Sequence, residues 1–154
     1  MNILVSACLL GVGCRYDGME KPNDKVLNLM GKHTLIPVCP EQLGGMSTPR
    51  LPSERSGKQV KREDGEAVTA YYERGAKEAL KLAQLYHCSC AILKERSPSC
   101  GKGQIYDGSF THTLTVGDGV TTALLEASGI RVLGESQIMQ VFGDRHLMQE
   151  DENA

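Results

Sequence analysis

Four short apolar runs separated by amphipathic stretches set the narrowest limit on how this chain can fold. The first is Ile3-Leu4-Val5, closing on Ser6-Ala7-Cys8. The second is Thr34-Leu35-Ile36-Pro37-Val38-Cys39, the third Cys88-Ser89-Cys90-Ala91-Ile92-Leu93, and the fourth Ile130-Arg131-Val132-Leu133. Runs this short and this apolar suit strands buried on both faces. Pro37 cannot donate to a sheet ladder, so the second strand is expected at a sheet edge or as a strand end.

Helical patterns fill the gaps. Residues 22–31 read as a helix capped by Asn23 or Asp24, with Val26, Leu27 and Met30 as its stripe and Gly31 as its stop. Residues 65–87 carry Val68, Tyr72, Ala76, Ala79, Leu80, Ala83 and Tyr86 on one face. Val120 to about Ser128 reads as a helix closed by Gly129, and Gln137–Phe142 as a short last one. The order β-α-β-α-β-α-β predicts an α/β, three-layer, Rossmann-like fold with a mostly parallel sheet of about four to five strands. Residues 40–56 read as an ordered functional loop. Residues 56–64 suggest a polar hairpin or surface excursion, and residues 103–116 a second excursion.

A length of 154 residues suits one domain, taken as 1–148, followed by an acidic, frayed tail at 149–154. The net charge of −2 gives no field to hold a polyanion, so nucleic acid is not an expected partner. The N-terminus lacks a basic, apolar leader, and no run is long enough to span a membrane. The expected compartment is the cytoplasm. Oligomeric state is not readable.

Six cysteines in a chain of this kind point to metal binding or catalysis more than to disulfides. Each could also be a small core residue. Ligands of open α/β sheets bind beyond the carboxyl ends of the strands. Cys8 and Cys39 end the first two strands, and Cys100 lies in the loop after the third. Cys14 sits nearby in a loop with three glycines in eight residues (Gly11, Gly13, Gly18). It serves either as a ligand or in support. Cys88 and Cys90 begin a strand at the opposite edge and read as core. Closed zinc sites favour close cysteine pairs, whereas three dispersed cysteines suit a cluster with one iron left open.

Other candidates surround them. Glu41 and Ser97 would suit acid–base work beside an open metal, although a solvated charge and a turn serine are the plainer readings. Gly119, Val120 and Thr121 open a helix whose free amides could bind an anion, unless Asp118 simply caps it. Arg15, Arg50 and Arg96 could add positive charge.

Three blocks carry a resemblance. They are Val5-Ser6-Ala7-Cys8-Leu9-Leu10-Gly11 with Cys14-Arg15-Tyr16-Asp17-Gly18; Pro37-Val38-Cys39-Pro40-Glu41-Gln42-Leu43-Gly44-Gly45 with Thr48-Pro49-Arg50; and Lys94-Glu95-Arg96-Ser97-Pro98-Ser99-Cys100-Gly101. Tyr106-Asp107-Gly108-Ser109-Phe110 and Gly117-Asp118-Gly119-Val120-Thr121 add to them. Over roughly residues 2–135 the chain resembles the thiouracil desulfidase family as a short, single-domain member. That resemblance implies a [4Fe–4S] cluster held by Cys8, Cys39 and Cys100, with Cys14 as the alternative to Cys39. The fourth iron would take the sulfur of a thiocarbonyl, water would supply the oxygen, and hydrosulfide would leave without net redox change. It implies Glu41 and Ser97 as acid–base and positioning residues. The expected substrate is a free thiolated pyrimidine or its nucleotide, with Gly119, Val120 and Thr121 holding a phosphate. A zinc- or cluster-binding module without catalysis is the alternative, and a thiol-redox protein using Cys88 and Cys90 a further one.

Overall fold

The structure, a computed structural model, describes residues 1–142. The elements are β1 (Asn2–Ser6), α1 (Asp24–Leu27), β2 (Thr34–Val38), α2 (Pro40–Leu43), β3 (Ser53–Ser56), β4 (Gln59–Arg62) and α3 (Thr69–Leu85), followed by β5 (Cys90–Leu93), β6 (Gln104–Tyr106), β7 (Leu114–Val116), α4 (Val120–Ala127) and β8 (Arg131–Gly134). Residues 138–142 are helical. The expected tail at 149–154 and the domain end at 148 lie outside the described residues.

Four parallel strands form the sheet in the order β2-β1-β5-β8. The chain leaves β1 to build β2 on one side, then crosses to build β5 and β8 on the other. The order therefore reverses between β1 and β5, which makes that gap the topological switch point. β1 and β5 occupy the middle, and Ile3, Leu4, Val5, Ala91, Ile92 and Leu93 are all fully buried. Their alternation sorts them by face. Ile3, Val5 and Ile92 meet Val26, Leu29, Ile138 and Phe142, while Leu4, Ala91 and Leu93 meet Ala79, Ala83 and Leu125 of α3 and α4. Helical layers thus cover both faces. Pro37 pairs with Val5 in β2, an edge strand, where its missing donor is tolerated.

Three expectations need correction. The helix expected over 22–31 stops at Leu27 and tightens into a 3-10 turn over Asn28–Gly31. Asn23 does cap it, accepting from the Val26 N–H at 3.2 Å. Only Val26 and Leu29 are buried there and Met30 is exposed, so little packing rewards a longer α-helix. The long helix begins at Thr69 rather than 65, and Tyr86, placed on its apolar stripe, is exposed just past its end. The loop 40–56 contains α2, started by Pro40 in the first helical turn, where proline fits.

Two antiparallel hairpins project from this frame. The β3–β4 hairpin leaves the chain between β2 and α3, and the β6–β7 hairpin between β5 and α4. They correspond to the two expected excursions, except that the first begins earlier, with β3 inside the stretch expected as loop over 40–56. β3 lies against β6.

Candidate active site

Beyond the carboxyl ends of β1, β2 and β5 opens a cavity of about 500 Å³. Four of the six cysteines line it: Cys8, Cys14, Cys39 and Cys100. Glu41 and Ser97 line it too. Cys88 and Cys90 are buried at the start of β5 and are not part of its lining. All six cysteines are free thiols.

Each thiol is delivered by a local device. After β1 the chain makes a 3-10 turn over Ala7–Leu10, which carries Cys8 and ends on Gly11 at φ +98°. Cys14 follows, with its carbonyl accepting from Cys39 Sγ at 3.6 Å and from Arg50 Nη2 at 2.9 Å. Cys39 is the residue before α2, so the same short helix aims Cys39 and Glu41. That helix sits backbone to backbone on α3. A Cβ on Gly75 would lie 1.9 Å from the Pro40 carbonyl oxygen, and one on Gly44 would lie 2.1 Å from that of Tyr71.

Cys100 is held by its own loop. Ser97 Oγ accepts from the backbone N–H groups of Ser99 and Cys100, each at 3.1 Å, and Ser99 Oγ donates to Cys100 Sγ at 3.4 Å. The turn-forming reading of Ser97 therefore holds, and the residue still lines the cavity.

Crowding and burial disfavour the thiolate at Cys14, Cys39 and Cys100. The Cys14 thiol sits between Cys39, whose hydrogen bond lowers its pKa, and Cys8, whose hydrogen bond raises it; with burial the balance is a rise to about 11. The hydrogen bond to Cys14, then burial, pushes Cys39 up further. Burial pushes Cys100 up to about 12, against hydrogen bonds from Ser6 and Ser99 that favour its thiolate. Ser6, at the end of β1, is a neighbour of Cys100 that sequence reading treated only as strand.

The setting of Glu41 also escaped the sequence. Arg50 Nη2 donates to its Oε2 at 2.7 Å, and the Tyr72 hydroxyl donates to its Oε1. Tyr72 reads as a core residue of α3 and is only 1% exposed, yet its hydroxyl finds this carboxylate. Burial, then the charge and hydrogen bond of Glu41, drive the phenol pKa upward. Arg50 is consumed here and offers no free charge to a ligand. Arg15 and Arg96 do line the cavity, although Arg15 lies 3.9 Å from Asp17.

The anion site expected at Gly119, Val120 and Thr121 is not formed. The Val120 N–H donates to Pro98 O and the Thr121 N–H to Ser99 O, both at 2.9 Å, and the Gly119 N–H donates to Gly101 O at 2.8 Å. The protein's own carbonyls fill the helix N-terminus. Asp118 does not cap the helix either; its carboxylate accepts from the Gly103 N–H at 2.8 Å. The segment instead docks the Cys100 loop, and Thr122 Oγ1 donates to Cys100 O at 2.9 Å.

A sequence profile for 2-thiouracil desulfurase matches residues 3–137. The chain belongs to this family. The protein YbbK of Bacillus subtilis (strain 168), itself uncharacterized, is 41% identical over 149 residues, spanning 90% of this chain and 99% of its own length. Among solved structures, the [4Fe-4S]-dependent thiouracil desulfidase TudS is 42% identical. It superposes with a TM-score of 0.83 and covers 99% of each chain. The parallel α/β sheet is therefore the family fold, and the desulfurase profile runs from β1 to just past β8. Among the described residues, no helix is long and apolar enough to cross a membrane.

Proposed function

We propose that this protein is a non-redox desulfidase that replaces the sulfur of a thiolated uracil base or nucleotide with oxygen from water and releases hydrosulfide. The observation that carries this reading is the convergence of Cys8, Cys39, Cys100, Glu41 and Ser97 on one cavity in a chain of the desulfurase family.

A [4Fe–4S] cluster is the cofactor that TudS is named for, and the donor set here fits one. Cys8, Cys39 and Cys100 line one cavity, and the Cys14 thiol bridges Cys8 and Cys39, so the donor set is the cysteine-rich kind that holds iron–sulfur clusters. Cys8, Cys39 and Cys100 would hold the cluster, and Cys14 supports them through its thiol and carbonyl contacts. When bound, the cluster supplies a soft Lewis acid that attracts thiocarbonyl sulfur more strongly than oxygen. Glu41 takes a proton from the attacking water, with its carboxylate oriented by Arg50 and Tyr72. The Ser97 hydroxyl positions the ring beside Cys100. The reaction balances as C=S plus water giving C=O plus hydrogen sulfide.

The test is anaerobic reconstitution followed by hydrosulfide assay with 2-thiouracil, 4-thiouracil and 4-thiouridine monophosphate. A brown protein that releases hydrosulfide from at least one of them is expected. A colourless protein that retains one zinc and releases none would overturn the proposal in favour of a non-catalytic metal module.

A further inference from the structure

The cysteines form only one side of the cavity; the two hairpins form the other. Ser53 and Glu54 come from β3, and Tyr106, Phe110 and His112 from the β6–β7 hairpin. Ser53 is 8% exposed, and its hydroxyl lies within reach of the Tyr72 hydroxyl, whose pKa it lowers, but makes no hydrogen bond of good geometry among the described residues. A serine on the cavity wall whose hydroxyl is only loosely engaged can turn toward a ligand.

The second hairpin shows a different signal. Phe110 and His112 both adopt φ +58°, a left-handed conformation that is uncommon outside glycine and costly for a residue as bulky as Phe110. The loop is held there from both sides. Glu54 Oε1 accepts from the N–H groups of Gly108 at 3.0 Å and Phe110 at 3.1 Å. On the outer side, Ser109 Oγ donates to Asp107, and the hydroxyls of Ser109, Thr111 and Thr113 follow one another at 2.6 and 2.8 Å. A Cβ on Gly108, at φ +96°, would stand 2.9 Å from that of Ser56, so the two hairpins are in close contact. A loop fixed this firmly in a disfavoured conformation keeps a half-buried phenylalanine on the cavity wall.

We propose that Phe110 and Ser53 form the recognition subsite for the substrate's flat ring. Phe110 stacks on the ring face, and the Ser53 hydroxyl bonds its polar edge. Glu54 is a positioning residue that holds Phe110 in place. The proposal rests on the desulfidase reading and adds the residues that select a planar unsaturated pyrimidine.

The reconstituted full chain is compared with Phe110→Leu, Phe110→Tyr and Ser53→Ala. Turnover is measured on 2-thiouracil and its puckered 5,6-dihydro analogue, and uracil binding is measured by calorimetry. Phe110→Leu should raise KM for 2-thiouracil and Kd for uracil about tenfold while shifting the dihydro analogue about twofold at most. Phe110→Tyr should restore wild-type values. Ser53→Ala should weaken both rings alike, with iron content unchanged. Equal losses on the flat and puckered rings in Phe110→Leu would overturn stacking. Wild-type turnover with unchanged binding in Phe110→Leu and Ser53→Ala would overturn the subsite and leave the desulfidase reading standing. No hydrosulfide from wild type with any thiolated uracil would overturn both.

Discussion

Replacing Gly119 by alanine tests how the Cys100 loop is held. Gly119 sits at φ −64°, so alanine suffers no backbone strain there, and the whole effect must come from contact. The added Cβ would lie 2.4 Å from the Ser99 carbonyl carbon and oxygen and 2.7 Å from the Cys100 nitrogen. Ordinary contact begins near 3.4 Å, so the loop must retreat by about 1 Å. Overpacking of this kind costs about 1–3 kcal/mol. The same retreat stretches the Val120–Pro98 and Thr121–Ser99 hydrogen bonds, each worth about 1 kcal/mol. A total of about 3–5 kcal/mol lowers the melting temperature of a chain this size by about 6–20 °C. Scanning calorimetry and iron analysis of anaerobically reconstituted protein read the two consequences separately. Gly119→Ala should melt early and retain less iron, because Cys100 moves with Ser99. A melting temperature and iron content equal to wild type would show that the close approach of Gly119 does not hold the loop.

Cys8→Ser and Cys100→Ser should lose the visible absorption and iron of reconstituted protein, whereas Cys14→Ser and Cys90→Ser should keep them; iron retained in Cys100→Ser would remove it from the ligand set. Tyr72→Phe deletes a hydrogen bond to the Glu41 carboxylate, a class of bond worth about 1.5–3 kcal/mol. Its kcat should fall about tenfold or more with KM and iron unchanged, and an unchanged kcat would mean that Tyr72 does not orient Glu41. The Ser109 hydroxyl, then its backbone N–H, hold the Asp107 carboxyl below its ordinary pKa. That support for the hairpin tip is present above the ordinary carboxylate range and is lost as pH falls through the lower folded value. Ser109→Ala should raise the Asp107 pKa toward ordinary, followed by NMR titration; no movement would place the cause elsewhere.

The sheet was legible because its strands are buried on both faces and therefore written as unbroken apolar runs. Pro37 even marked the edge. Elements whose burial is thin were harder. The segment 22–31 carries helical caps but too little apolar surface to keep the α-helix going. The short α2 was hidden inside a stretch punctuated like a loop, and nothing local announces that Gly44 and Gly75 let it rest on α3. Strand-end logic grouped Cys8, Cys39 and Cys100 and set Cys88 and Cys90 apart. The Arg50–Glu41–Tyr72 set joins three separate segments, so no local pattern could reveal it. The Gly117-Asp118-Gly119 block shows the converse error. Locally its amides look free for a ligand or for an Asp118 cap, but the carbonyls that occupy them come from Pro98, Ser99 and Gly101, which the fold brings there.

The two halves of the cavity answer to different physical constraints. The cysteine side hangs from strand ends whose heights are fixed by register: Val5 beside Pro37 and Ile92, and Ile92 beside Leu133. Moving one of those strands by a residue would turn its core side chains to the wrong face. The hairpin side carries no such load, because β3–β4 and β6–β7 are insertions between sheet elements, each a two-stranded sheet of its own joined to neighbouring loops by isolated bridges at Lys61–Ala67 and Arg96–Ile105. Their tips can change length or sequence while the parallel sheet keeps its register. An enzyme built this way can hold its soft-metal chemistry constant and alter the ring it accepts. Glu54 couples the two insertions: it stands on one hairpin, grips the backbone of the other, and lines the cavity that both close.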